Sequence, residues 1–139
     1  MNNIFENLNW LHVLVATIGY FAVGSLWYSP VLFAKRWIRY TGIDITNPNV
    51  KKGVAQIMLG SILLMAICCT GLAILTIKLG ITNWKEGITL GLLTGICFSF
   101  TAISISLIYE KKPLGLHLIN GGYNIVGNVV AALILSSWQ

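Results

Sequence analysis

The sequence predicts an all-α integral membrane protein, a four-transmembrane-helix bundle with a short interfacial amphipathic helix after the first span. Two observations carry this. Of 139 residues, 56% are hydrophobic and only 9% charged, whereas a soluble domain carries about 25% charged residues. So few charges cannot solvate a globular surface. The apolar residues also form long unbroken runs rather than alternating, which selects helices that satisfy their own backbone in lipid over a spanning barrel. At about 20 residues per span, four spans and their connections account for residues 1–139 as a single transmembrane domain.

The first span is expected over about 10–28. The nine residues before it hold Glu6 and no Lys or Arg, without the basic start and cleavage site of a secretory signal, so the run reads as a retained helix. Ser29-Pro30 ends it, because proline cannot continue the ladder. Over about 31–42, Phe33, Ala34, Trp37 and Thr41 share one helical side while Lys35, Arg36 and Arg39 share the other. That pattern fits a helix lying among headgroups, with Trp37 as its anchor and its cations toward anionic lipid. The competing reading packs it on the end of the bundle with its basic face in water. Asp44, Asn47 and Pro48 mark a turn-rich connection.

Further spans are expected over about 54–77, 87–108 and 114–137. Lys78 and Gly80 close the second, while Tyr109 and Glu110-Lys111-Lys112-Pro113 bound the third. Trp84 and Trp138 sit where interfacial aromatics belong.

Charge sets the expected orientation. The loops after the first and third spans hold Lys35, Arg36, Arg39, Lys51, Lys52, Lys111 and Lys112, against Lys78 and Lys85 on the other side. By the positive-inside rule the seven-cation side is cytoplasmic and both termini face outward from a cell (inner) membrane. Seven against two also argues against dual topology. The net charge of +5 follows from this asymmetry and a lipid-facing helix, and no nucleic acid partner is expected from loops this short.

The fourth span carries the most informative pattern: His117, Asn120, Asn124 and Asn128 at spacings of three, four and four, which puts them on one helical face. Amides facing hydrocarbon are costly, so this face must look into the bundle, another subunit or water. It reads either as interhelical glue, at about 0.6–2 kcal/mol per bond, or as a path for a solute, ion or water. On the third span Gly87, Gly91, Gly95 and Ser99 repeat at spacings of four, the small-xxx-small pattern of closely packed helices. The pattern serves equally within one chain or in a homo-oligomer.

Several chemistries are excluded or disfavoured. Glu6, Asp44, Glu86 and Glu110 all lie at or beyond span ends, so a proton-coupled antiporter with an intramembrane acid is disfavoured. His12 and His117 are separated in depth by about 20 Å at the helical rise and cannot hold one haem or metal. Cys68, Cys69 and Cys97 lie in apolar runs and read as small packing residues. No cofactor, metal cluster, phosphate loop or catalytic triad is evident, so an enzyme is not expected, and an intramembrane enzyme using His117 ranks third among the functional classes.

Asn9-Trp10, Gly24-Ser25-Leu26-Trp27-Tyr28-Ser29-Pro30 followed by Phe33, Lys35 and Trp37, then Lys112-Pro113 and Asn120-Gly121-Gly122-Tyr123, resemble the small membrane proteins grouped as domain of unknown function 1761. The resemblance spans nearly the full chain, and Leu-Trp-Tyr-Ser-Pro is its most specific block. In this block Trp27 and Tyr28 are expected as an inner-leaflet aromatic belt and Pro30 as the turn into the interfacial helix. The family often carries Ala at the position of Gly121 and His at that of Asn124. The amide here means that no essential imidazole is implied at 124. The resemblance implies a bacterial or fungal type of four-span membrane protein and supplies no reaction.

Two functional expectations follow. One is a small oligomeric channel or facilitator, with Asn120, Asn124 and Asn128 lining a polar path and Trp27 and Tyr28 at its inner mouth. The other is an accessory membrane subunit that binds a protein complex or lipid through its glycine stripe and basic helix.

Overall fold

The structure is a computed structural model and describes residues 3–138. Its order is α1 (Trp10–Trp27), α2 (Ala34–Thr41), a 3-10 turn (Pro48–Lys51), α3 (Val54–Lys78), α4 (Trp84–Thr94), a π-helical segment (Gly95–Phe100), α5 (Thr101–Tyr109) and α6 (Leu114–Ser137). Four helical rods are long and apolar enough to cross a membrane: α1, α3, the continuous run Trp84–Tyr109, and α6. The protein is a multi-pass, all-helical membrane protein. The rods run up, down, up, down, and the ring of His12 lies 4.8 Å from that of Trp138. The two ends of the chain therefore meet at one face, which we call the termini face. The loops around α2 and between α5 and α6 form the opposite, loop face.

Polar caps start the helices. The Asn9 side chain accepts the Leu11 and His12 amides at the head of α1, and Asn83 accepts the Glu86 amide at the head of α4, satisfying donors that otherwise lack partners. After Pro30 the chain turns for longer than the sequence suggests. The Phe33 amide donates to the Trp27 carbonyl and the Ala34 amide to Ser29, so Val31–Phe33 form the turn and α2 starts only at Ala34. Gly42, at φ +71°, ends α2 in the left-handed conformation that glycine adopts without penalty. Beyond it Thr46 donates to Asp44 from its hydroxyl (2.6 Å) and its amide (2.9 Å). Together these bonds hold the Asp44 carboxyl below the usual carboxylate range.

α6 is the hub. Eleven of its residues are buried, against four on α1 and four on α3. Rings from three other elements sit on its glycines: Tyr40 on Gly115, Phe100 on Gly121, Trp27 on Gly122 and Tyr20 on Gly127. α3 is the opposite case, with the highest mean hydropathy of the spans, 2.4. Its buried residues, Cys69, Leu72, Ala73 and Thr76, all lie toward the termini face. Its loop-side half diverges from the bundle and leaves Ile57, Leu59, Leu63 and Leu64 exposed, as suits a helix whose neighbour is lipid.

The glycine stripe packs within the chain. A Cβ on Gly91 would stand 2.5 Å from Val129 Cα and 2.8 Å from the Asn128 carbonyl oxygen, and one on Gly95 would stand 2.8 Å from Ile125 Cα. A stripe at spacings of four drifts about 40° per step around an α-helix. The wider i→i+5 turn of Gly95–Phe100 reverses that drift and keeps Ser99 on the α6 side.

Gly91→Ala should lower stability by about 1–3 kcal/mol, the usual cost of overpacking. Gly71→Ala, on the open side of α3 with no atom within 4 Å of the added carbon, should be neutral or gain up to about 1 kcal/mol in helix propensity. Equilibrium unfolding in detergent micelles compares them, and equal effects would contradict the assignment of the stripe to the α4–α6 contact.

Candidate functional site

The polar face of α6 divides into two parts with different jobs. At 100° per residue, Asn120 and Asn128 are about 80° apart around the helix, with Asn124 between them and His117 toward the Asn128 edge. Asn128 is 1% exposed and fully engaged. Its Nδ2 donates to the Asn124 carbonyl (2.7 Å), Ser99 Oγ (3.2 Å) and Tyr20 Oη (3.3 Å). Its Oδ1 accepts from Thr94 Oγ1 (3.2 Å) and Cys68 Sγ (3.8 Å). One amide thus links α1, α3, α4, the π segment and α6. Among the described residues the one buried side-chain N or O atom without a partner is Ser104 Oγ, outside this network.

Asn120 and Asn124 instead line a cavity of about 1060 Å³ between α1, α3, α6, the third span and the α2 loop. It exists because α3 diverges. Tyr28 Oη donates to Asn120 Oδ1 (2.8 Å), and Tyr20 Oη to Asn124 Oδ1 (2.7 Å). Tyr123 stands between these pairs, its ring edge-on to Tyr20 at 5.5 Å and to Tyr28 at 5.4 Å. Tyrosines and amides therefore form a polar wall along α1 and α6. The facing wall is apolar: Ile57, Met58, Leu64 and Met65 from α3, with Trp37, Ile38, Ile43, Ile45 and Val50 from α2 and its loop. Ten residues separate the start of α6 from Asn124, so the cavity reaches about 15 Å in from the loop face.

It does not reach further. Ala16, Cys69 and Ala131 are fully buried, and Asn128 nearly so, and this layer separates it from a cavity of about 160 Å³ at the termini face, lined by Asn9, His12, Ala73 and Trp138 among others.

Several sequence expectations change here. His117 is buried but does not line the cavity, so the four polar residues do not make one continuous path. Trp27 and Tyr28 are half-buried and turn inward rather than forming a lipid-facing belt. The Trp27 indole donates to the Ile119 carbonyl (2.9 Å), because a buried N–H needs an acceptor. The aromatics exposed at span ends are Trp10, Trp84, Trp138 and Tyr109. α2 uses its apolar side on the bundle, with Trp37 edge-on to Tyr28 at 5.9 Å, while Lys35, Arg36 and Arg39 are exposed. Gly87, Gly91, Gly95 and Ser99 are spent inside the chain and offer no partner surface. His12 and His117 lie at opposite faces, Cys97 is exposed, and no disulfide joins the cysteines. Among the described residues no three His, Cys, Asp or Glu gather where a metal could sit. Tyr20 and Tyr123 were not singled out from the sequence. The signal was the Asn120-Gly121-Gly122-Tyr123-Asn124 run, which puts a ring beside two amides.

The family model described as Protein of unknown function (DUF1761) matches residues 11–136. The chain belongs to that family. No curated protein and no solved structure matches it. In this DUF1761 member the matched region contains the four spans except their outermost residues Trp10 and Ser137, the Asn128 network and every residue that lines the larger cavity.

Asn128→Ala should destabilise the fold by about 1–3 kcal/mol, since it strands the partners of a buried amide. Asn120→Ala, with its one bond at a cavity wall, should cost less than about 1 kcal/mol. A Tyr20→Phe and Asn128→Ala double-mutant cycle, read by unfolding in detergent, should give a coupling of about 0.5–2 kcal/mol. Additive effects would remove Tyr20 from the network.

Proposed function

We propose that the protein is a small membrane facilitator that binds an uncharged amphiphilic solute in the cavity between α3 and the α1–α6 pair. The observation that carries this reading is the division of the asparagines: Asn128 is dry and saturated, whereas Asn120 and Asn124 face an open cavity of about 1060 Å³. Helix glue accounts for Asn128 and for the bonds of Asn120 and Asn124 to Tyr28 and Tyr20, but not for the open cavity beside them. A cavity mainly apolar, with a few convergent polar groups, is the usual form of a small-molecule site.

On this reading the solute enters from the loop face. The charge bias of seven cations against two supports a cytoplasmic loop face in a cell (inner) membrane, with both termini outside. Lys35, Arg36 and Arg39 sit at the anionic headgroups and hold α2 across the mouth. The layer containing Asn128 is the barrier that a solute must pass, so transfer across the membrane requires α3 to move against α6. One chain carries the whole binding site. If the protein forms a homo-oligomer, the contact uses its lipid-facing surfaces, because the glycine stripe is internal. The accessory-subunit reading loses that stripe as its docking surface.

Photolabelling in proteoliposomes tests the proposal, with a diazirine-bearing long-chain fatty alcohol as the probe. We expect saturable labelling of Tyr28, Met65 and Ile103, competed by unlabelled alcohol and abolished by Met65→Trp, which fills the cavity. Stopped-flow exchange of the same probe across the bilayer should exceed that of protein-free liposomes. Unsaturable labelling spread over Ile57, Leu59 and Leu63 would mean that only lipid contact is seen and would overturn the reading.

A further inference from the structure

Within the proposed cavity, the count of hydrogen-bonding groups is unbalanced. Both tyrosine hydroxyls that bracket the polar wall are committed as donors, Tyr28 to Asn120 and Tyr20 to Asn124. The Asn124 amide is engaged at both ends, for one Nδ2 N–H donates to the Asn120 carbonyl at 2.9 Å while its Oδ1 accepts from Tyr20. The side-chain carbonyl oxygens of Asn120 and Asn124 are therefore taken by protein donors. Two groups on this wall make no hydrogen bond among the described residues: the Tyr123 hydroxyl and the Asn120 Nδ2. Both are donors, and both adjoin the Tyr28 phenol, Tyr123 through a ring contact of 5.4 Å and Asn120 through its bond of 2.8 Å.

Tyr123 is 9% exposed overall and lines the cavity, and its unpaired hydroxyl is not among the fully buried atoms, so it is open to whatever occupies that space. A tyrosine hydroxyl in apolar surroundings ordinarily finds a partner, and this one has no protein partner to give up when it takes one. What would satisfy it is an acceptor brought in by the ligand. The charge of that acceptor is also constrained. None of the 22 residues lining the cavity is Asp, Glu, Lys, Arg or His. A carboxylate or phosphate carried to the depth of Asn120 and Tyr123, about 9–14 Å in from the start of α6, would have no counter-charge, and burying an unpaired ion costs far more than two neutral hydrogen bonds return. The remaining class is a neutral carbonyl on an apolar body. The rings of Tyr20, Tyr28, Tyr123 and Trp37 favour a flat ring over a bulky head, since aromatic faces and edges gain from stacked or edge-on contacts.

We propose that the cavity selects a lipophilic neutral carbonyl compound of the quinone type, whose ring carbonyl accepts from the Tyr123 hydroxyl and the Asn120 amide while its apolar tail lies along α3. This rests on the cavity being a binding site, and it adds which solutes that site prefers. It is a binding step only, with no bond made or broken and no electron transferred.

The test uses displacement of the fatty-alcohol photoprobe from the full chain in proteoliposomes by three competitors with the same alkyl tail. One is a fully substituted benzoquinone, which has no open ring position for a thiol such as Cys68 to attack. The second is the matching alkylbenzene, and the third is the matching fatty carboxylate. The quinone should displace the probe at the lowest concentration. Tyr123→Phe, which removes a hydroxyl with no protein partner and keeps both ring contacts, should weaken quinone displacement about three- to tenfold, the size of one neutral hydrogen bond. It should leave alkylbenzene displacement unchanged. If quinone and alkylbenzene compete equally, or if Tyr123→Phe leaves the quinone unaffected, the carbonyl preference is overturned while the cavity remains a binding site. If the carboxylate competes best, the charge argument is wrong. If the photoprobe itself gives no saturable labelling, the binding-site reading fails first and takes this inference with it.

Discussion

A side-chain amide inside a membrane has no water to fall back on, and the arrangement of this bundle can be understood as the solution to that constraint at Asn128. Its two N–H groups and its carbonyl oxygen must be met by protein, and they are met by Tyr20, Ser99, Thr94, Cys68 and the Asn124 carbonyl. To bring those groups within reach, Tyr20 must cross onto Gly127, the third span must lie close enough on α6 that Gly91 and Gly95 have no room for a Cβ, and a π turn must rotate Ser99 toward α6. Each requirement is a packing statement, and each is set by one polar atom that lipid cannot satisfy. Because hydrocarbon is as apolar as leucine, burial alone would not choose among helix pairings here. A saturated polar centre and sockets for rings supply the choice instead.

The cavity is the other half of the same arrangement. Four rings on α6 glycines bind α1, α2 and the π segment to the hub, but α3 contributes no ring to α6. It packs through small and medium side chains near the termini face and then diverges. Its mean hydropathy of 2.4, against 1.5 for α1 and 1.6 for α6, is what a helix needs if lipid rather than protein covers most of it. The span that is most comfortable in lipid is therefore also the one free to leave a gap. The gap opens beside the tyrosines and asparagines of α1 and α6, whose polar groups could not face hydrocarbon directly.

Span positions were legible because they depend on a property the sequence displays directly, the length of apolar runs between charges and Gly, Pro or Asn. Pro30 and Gly80 bound the helices where their chemistry suggests, whereas the third span starts at Trp84 behind the Asn83 cap, three residues before the expected 87. The one-sided placement of Asn120, Asn124 and Asn128 was legible from spacing alone. What spacing could not give was the partner of each residue. Trp27 and Tyr28 look like interfacial aromatics at the end of a span, yet Gly122 and the Ile119 carbonyl draw the indole inward, and the Asn120 amide draws the phenol. The glycine stripe had two physically equal uses, within the chain or between chains, and only the path of α6 decides for the first. The π segment left no compositional mark. The cavity depends on α3 failing to pack, and a missing contact has no sequence signal.

Charge and cavity are segregated in this molecule. Every Lys and Arg lies at a span end or in a connection between spans, α2 included, where cations orient a chain by the positive-inside rule and bind headgroups at modest cost. None reaches the cavity. Helix α2 separates the two roles within eight residues: its cations are exposed while Trp37 and Ile38 wall the cavity from behind. The exposed cations of α2 lie outside the cavity and leave no counter-charge for an ion inside it. A site built this way discriminates by the direction of hydrogen bonds and the shape of an apolar body, the terms that gain most in a low dielectric when they are met and cost most when they are not. On the proposed reading, selectivity would reside in the unpaired donors of one wall, the Tyr123 hydroxyl and the Asn120 Nδ2, and the basic loop face would contribute orientation and anchorage rather than recognition.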